Sequence, residues 1–311
     1  MDEQSDSRDE FIGKTILDEK SMSNEIISTC IFCNSDRISQ TDAIAELSQC
    51  KNCGLVFNNP RPSQKAIANF YSKPGQYDSW TANLLGRTEM WLRRLKKMQP
   101  YLKRGRLLDI GAGIGQFMFL AKSEFNAITG TEVSLSAIQV AEKEFGIDLH
   151  QGSIESIDLP KESFDTVTAF HVLEHVPHPG LFLKRCHDLL VPGGRLFIAV
   201  PNDLKSAGAW LRKVRFRFGL GLPGFGAFGL PRISLDGSMD ELHLSHFDES
   251  SLKIAFEKSG FIVKDCGLDP FWAEQGGVGR QHQLRYWICE AIKKMSDQNI
   301  YGTIWICGEK V

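Results

Sequence analysis

LLDIGAGIGQF, Leu107 to Phe117, is the stretch on which the reading of this chain turns. A short apolar strand over 106–110 runs into Gly111-Ala112-Gly113-Ile114-Gly115, and a helical pattern follows over 117–123. Glycine tolerates positive φ and lets a ligand touch backbone amides with no Cβ in the way. Such a turn sits at the carboxyl edge of a doubly wound sheet, where these folds bind ligands. A dinucleotide fingerprint wants glycine or alanine three residues after its second glycine. That position is Gln116, so the spacing favours a nucleoside over a pyrophosphate. Asp109 can accept a hydrogen bond from a loop amide or, through water, from a ligand ammonium. Glu132 closes the next strand, where a carboxylate can accept from both hydroxyls of a ribose.

Outward from the turn, strands over 127–133, 147–150, 164–170 and 195–200 alternate with helices over 136–145 and 181–190. Strict alternation of this kind makes a Rossmann-like, mostly parallel α/β sheet with helices on both faces. Two further strands, 261–266 and 302–307, complete seven, and the last is expected to pair antiparallel. Helices are expected over 250–259 and 281–294, and 203–246 reads as a loop-rich insert. Ahead of the sheet, an amphipathic helix over 84–101 places Leu84, Trp91, Leu92, Leu95 and Met98 on one face with arginines and lysines opposite. The expected organisation is a disordered acidic tail (1–24), a cysteine-rich unit (25–60), a helical linker or lid (61–104) and the main domain (105–311).

Several stretches in register resemble the class I S-adenosylmethionine-dependent methyltransferases: LLDIGAGIGQF, GTEVS, SFDTVTAFHVLEHVPHP and LLVPGGRLFIAVPN, with HLSHFDESSLKIAFEKSGF extending the likeness. Within that family the branch with the ubiquinone-biosynthesis O-methyltransferases looks nearest. The resemblance implies S-adenosylmethionine as cofactor, with Gly111, Gly113 and Gly115 around its methionine and ribose parts and Glu132 on the ribose. It places the adenine by Gly152-Ser153-Ile154, although many members carry aspartate where Ser153 stands, and it places His171 near the sulfonium. Pro192-Gly193-Gly194 would make a tight turn before the fifth strand.

Methyl transfer from a sulfonium is an in-line displacement, so alignment does most of the work; a base is needed only if the acceptor must lose a proton. His171, His243 and His246 are the candidate bases, each equally readable as a hydrogen-bonded structural histidine, and His175 is read as orienting its loop. No Asn-Pro-Pro-aromatic stretch and no Pro-Cys nucleophile follows the fourth strand, which favours a small-molecule acceptor over a nucleic-acid base. The balance of 36 basic against 38 acidic side chains likewise argues against nucleic acid. With O-methylation ahead of C- or N-methylation, the alternatives kept open are an inactive binding protein and an RNA methyltransferase.

Cys30-x-x-Cys33 and Cys50-x-x-Cys53 match a four-thiolate structural zinc site in spacing and number. Some sugar-modifying bacterial methyltransferases look similar, with a cysteine-rich ribbon ahead of the same domain. Cys186, Cys266, Cys289 and Cys307 stand in apolar segments and read as packing thiols. No apolar run reaches the roughly 18 residues of a spanning helix, and the polar, acidic start is unlike a signal peptide, so the cytoplasm is the expected compartment. Residues 207–232 hold four phenylalanines, six glycines and a tryptophan with no acidic residue. They read as a lid over an apolar acceptor, a membrane-surface segment or a buried loop. Tyr71 and Tyr77 would lid the cofactor or simply pack.

Overall fold

The computed structural model describes residues 24–71 and 78–311; the expected tail, Asn24 apart, and Tyr77 lie outside the described residues. In chain order the strands are β1 (Asn24–Glu25), β2 (Ile38–Asp42), β3 (Leu47–Cys50), β4 (Val56–Asn58), β5 (Arg61–Pro62), β6 (Arg106–Ile110) and β7 (Ala127–Glu132). They continue as β8 (His150–Gln151), β9 (Phe164–Phe170), β10 (Leu190–Pro201), β11 (Ser245–His246), β12 (Phe261–Leu268) and β13 (Thr303–Lys310). The helices are α1 (Gln64–Tyr71), α2 (Asp78–Ala82), α3 (Leu84–Met98), α4 (Gln116–Ala121), α5 (Leu135–Val140), α6 (Pro179–Leu189), α7 (Ala207–Arg217), α8 (Glu249–Lys258) and α9 (Gly276–Ser296).

The main sheet runs β12-β13-β10-β9-β6-β7-β8. β8, β7, β6, β9 and β10 are parallel, and β13 pairs antiparallel with both β10 and β12. The chain winds outward from β6 to β8 and then returns to β9, which makes the β6/β9 edge the switch point where doubly wound sheets open a crevice. Side chains alternate across the strands. Leu108, Ile110, Val167, Ala169, Ile198 and Ile306 face one core with α6 and α8. Leu107, Phe170, Phe197, Ala199 and Trp305 face a second core with α3 and α4.

The cysteine-rich unit is not a free-standing appendage. Its strands order as β2-β3-β4 and then continue through β11 of the main domain, with Phe57 opposite Ser245 and Val56 opposite His246. Cys30, Ile31, Cys50, Cys53, Leu55 and Phe57 are buried in the same core as Phe182 and Leu183.

Two local expectations are corrected. Residues 207–217 form a helix, because Ser206 caps it (Ala209 N to Oγ, 3.1 Å) and the run AWLRKVRFR is helix-compatible between flanking glycines. Leu92 is about half exposed, while Met90, Trp91, Arg94, Leu95 and Met98 carry the buried face of α3. Pro192-Gly193-Gly194 falls between Leu190 and Arg195, four intervening residues against one in β9, with Gly193 at φ 72°, so the chain turns there and the continuous ladder with β9 begins at Arg195. Cys186, Cys289 and Cys307 are buried and Cys266 is half-buried. Among the described residues no helix is long and apolar enough to cross a membrane.

Candidate active site

One cavity of about 1660 Å³ opens at the β6/β9 edge, and its walls come from the glycine turn, α1, α3, the ends of β7 and β9, and the insert. Asp109, Gly111, Gly113, Glu132, Ser153, Ile154 and His171 all line it, as do His243 and His246. Gly115 does not: it turns into α4 at φ 71°, and a Cβ there would meet Ala141 and Ile147. Its part is to let the helix pack.

Gly111 and Gly113 adopt φ of 67° and 56°. A Cβ on Gly113 would stand 2.8 Å from the ring of Trp80, so both the conformation and the approach demand glycine. Glu132, nearly buried, accepts from three backbone amides: Gly113 N to Oε2 at 2.8 Å, and Val133 N and Ser134 N to Oε1 at 2.8 and 2.9 Å. Burial pushes its pKa up, and the three donors work against that. A carboxylate offers about four acceptor positions, so one side of Glu132 remains for a ligand hydroxyl. Asp109 accepts from Thr168 Oγ1 at 2.7 Å, and burial raises its pKa to about 7.

Two arginines that the helical pattern assigned to the polar face stand in the cavity wall. Arg94 is fully buried and forms a bidentate pair with Asp269, through Nε to Oδ1 at 2.9 Å and Nη2 to Oδ2 at 2.5 Å, beside the rings of Trp91, Phe170 and Phe271. Its Nη1 and the Nε of Arg87 have no acceptor. Burial lowers Arg87 to about 10. The signal was present: Met90, Trp91, Arg94, Leu95 and Met98 form one helical stripe that includes the arginine.

The histidines differ in what their rings are bonded to. His171, at φ 58° just past β9, takes Arg94 Nη2 on Nε2 at 2.8 Å and packs against the Phe271 ring at a tilt of 43°. Arginine only donates, so Nε2 is an acceptor, and the ring proton sits on Nδ1 toward Glu174 Oε1, 3.3 Å away. His246 has Nδ1 2.9 Å from Asp203 Oδ2 and Nε2 2.9 Å from Asn58 Oδ1, so both nitrogens are engaged and the ring ties the cysteine unit to the cavity. His175 Nδ1 lies 2.8 Å from Leu242 O and 2.9 Å from Tyr71 Oη. Burial lowers its pKa and keeps the ring neutral. His243 lines the cavity, with Nδ1 3.3 Å from Asp203 Oδ2 and Nε2 3.6 Å from Glu241 Oε2. Burial opposes charge on His243, but Asp203 and Glu241 outweigh it and hold its pKa well above 6.5.

The four N-terminal thiols converge as their spacing requires. Cys30 Sγ lies 3.5 Å from Cys53 Sγ, Cys33 Sγ lies 3.6 Å from Cys50 Sγ, and all four sulfurs fall within 4.8 Å of one another. Phe32 N and Asn52 N point at Cys30 and Cys50 sulfurs at 3.5 and 3.4 Å, one amide in each knuckle.

A doubly wound sheet with this strand order thus carries a Gly-x-Gly-x-Gly turn and a buried glutamate at one large cavity. The family model described as Methyltransferase domain matches residues 85–264, and the chain belongs to that family. It is 34% identical over 116 residues to a ubiquinone biosynthesis O-methyltransferase of Coxiella burnetii, an alignment covering 35% of this chain and 50% of that protein. A protein of the same name from Pseudomonas syringae pv. tomato is 33% identical over 103 residues, covering 31% and 44%. The chain thus spans about half the length of the curated relatives it matches. An S-adenosylmethionine dependent methyltransferase structure from Mesorhizobium loti superposes with a TM-score of 0.51 at 18% identity, over 71% of this chain and 98% of that one, a likeness of fold.

Proposed function

We propose that the chain transfers a methyl group from S-adenosylmethionine to a hydroxyl of a small acceptor. The observation that carries this reading is the size of the cavity. Its volume exceeds the roughly 300–1,000 Å³ of an ordinary ligand pocket, so it has room for a cofactor and an acceptor together. Glu132 and the glycine turn fit a ribose, and the backbone at Gly152–Ile154 fits an adenine. The unpartnered nitrogens of Arg87 and Arg94 fit the methionine carboxylate. The same cavity is lined by His171, His175, Asp203, Glu241 and His243. Oxygen is favoured as the nucleophile because these carboxylates and histidines suit a hydroxyl. The insert supplies an apolar wall through Phe225, Leu230 and Ile233, fitting an acceptor with an apolar part. Calorimetry is expected to show micromolar S-adenosylhomocysteine binding, and a labelled-methyl assay on a hydroxylated-metabolite panel to show turnover; no cofactor binding would end this reading.

The same reading includes a structural zinc ion on Cys30, Cys33, Cys50 and Cys53. A zinc–sulfur bond of about 2.3 Å puts the sulfurs of a tetrahedron about 3.8 Å apart, and the observed spacings suit that without rearrangement. The ion would close the two knuckles and hold β4 beneath β11. Elemental analysis is expected to find a tightly held zinc that Cys50→Ser loses. Four free, titratable thiols in the purified protein would refute it.

A further inference from the structure

Behind the apolar wall that the insert gives to the cavity stands the cysteine-rich unit, joined to it through one buried carboxylate. We propose that Asp42, at the end of β2, is a positioning residue that fixes the 224–232 loop and so sets which acceptors the cavity admits. Asp42 is 5% exposed. Its Oδ1 accepts from Ile44 N and Ala45 N, both at 3.1 Å, and closes the hairpin turn into β3 as aspartate commonly does. Its Oδ2 accepts from Phe228 N at 3.0 Å, 186 residues further along the chain. A buried carboxylate is costly unless it is hydrogen-bonded, so the loop satisfies an oxygen that the turn leaves over.

The loop arrives as one piece. Gly226 N donates to Leu230 O at 3.0 Å, Gly229 N to Gly226 O at 2.9 Å and Arg232 N to Gly224 O at 3.0 Å, and Phe225 bridges to Pro231. Phe228 and Leu230 pack with Ala45, Leu47 and Val56 of the cysteine-rich unit. Phe225, Leu230, Pro231 and Ile233 line the cavity. A displacement at Asp42 is therefore passed on to the wall rather than absorbed within the loop. Gly226 shows how close the fit is. It is buried and its φ is not positive, so its backbone would tolerate a side chain, but a Cβ there would run into both carboxylate oxygens of Asp42. Arg232 adds an ion pair to Glu46 at 2.7 Å, half exposed and so of minor weight.

The residues read as holding the cofactor belong to β6, β7 and the segments that follow them, whereas Asp42 acts on the insert. Its loss should weaken acceptor binding and spare cofactor binding. That part in acceptor choice rests on the methyltransferase reading; the mounting of the loop does not.

The test uses the full chain with Asp42→Ala, Asp42→Asn and Gly226→Ala. Amide hydrogen exchange followed by mass spectrometry should speed up at least about tenfold over 224–232 in Asp42→Ala and in Gly226→Ala, with 107–117 unchanged as the check on folding. Asp42→Asn, with one oxygen left for either the turn or Phe228, should fall between. Asp42→Ala combined with Gly226→Ala should exchange no faster than the faster single variant, since the clash disappears with the carboxylate. In the labelled-methyl assay the acceptor KM should rise at least about tenfold while kcat and the S-adenosylmethionine KM stay within about twofold, the mark of lost ground-state binding. Exchange over 224–232 that matches wild type overturns the proposal, as does an unmoved acceptor KM or a rise of both KM values together. Wild-type protein that turns over no acceptor would instead sink the methyltransferase reading, and the exchange result would then decide the mounting of the loop by itself.

Discussion

Arg94→Leu is expected to lower the unfolding free energy by about 3–5 kcal/mol, read from urea denaturation near neutral pH. The substitution leaves Asp269, itself wholly buried, as a charge with no counterion under Phe271 and against His171. Replacing both partners, Arg94→Met with Asp269→Leu, should recover much of the loss, because an apolar pair of similar volume has no charge to desolvate. The effect has a definite pH signature. Burial alone would raise the Asp269 pKa, but the Arg94 guanidinium brings it down to about 2. A carboxylate with a depressed folded pKa contributes stability that is full above its unfolded value of about 3.9 and is lost as pH falls through the folded value. The gap between wild type and Arg94→Leu should therefore be complete near neutrality and shrink below about pH 4. A gap that stays constant through the acid range would mean that packing, not the ion pair, sets the loss.

Glu132→Ala should weaken S-adenosylhomocysteine binding about a hundredfold or more. Three amides, of Gly113, Val133 and Ser134, lose their acceptor at once. A buried donor left unmade costs about 1–3 kcal/mol, so reorganisation of the turn alone accounts for about two decades of affinity. Glu132→Gln should fall between, since its amide oxygen can still serve Val133 and Ser134 while its NH₂ faces Gly113. Binding within about threefold of wild type in Glu132→Ala, a difference of well under 1 kcal/mol, would show that the carboxylate neither shapes the turn nor holds the ribose.

The two residue patterns with short-range physics behind them were readable from the chain alone. The glycine turn follows from backbone permissiveness, and strand-then-helix alternation forces a parallel sheet, including the antiparallel close at β13. The four thiols were readable for the same reason, since paired knuckles have only one common use. What escaped the reading depends on contacts distant in sequence. Arg94 belongs to the hydrophobic stripe of α3 only because Asp269, 175 residues on, neutralises it. Glycine-rich punctuation obscured α7, whose cap is local but whose Arg212 and Lys213 turn inward to Gly229 O and Leu204 O. Gly115 shares a motif with Gly111 and Gly113, but Ala141 and Ile147 give it a different neighbour. Of the four histidines in view, nothing in their spacing tells which ring nitrogen is left over. That is decided by Asn58, Asp203 and Leu242.

The clasp of Val56 and Phe57 on Ser245 and His246 ties the N-terminal unit to a histidine that lines the cavity. A shortened chain beginning at Arg61 would carry a bare strand edge, an apolar floor stripped of Ile31, Leu55 and Phe57, and a His246 without Asn58. Such edges invite self-association, so the shortened protein should precipitate rather than work slowly. By the same linkage, an oxidant that joins the four thiols would disturb the His246 wall without ever entering the cavity.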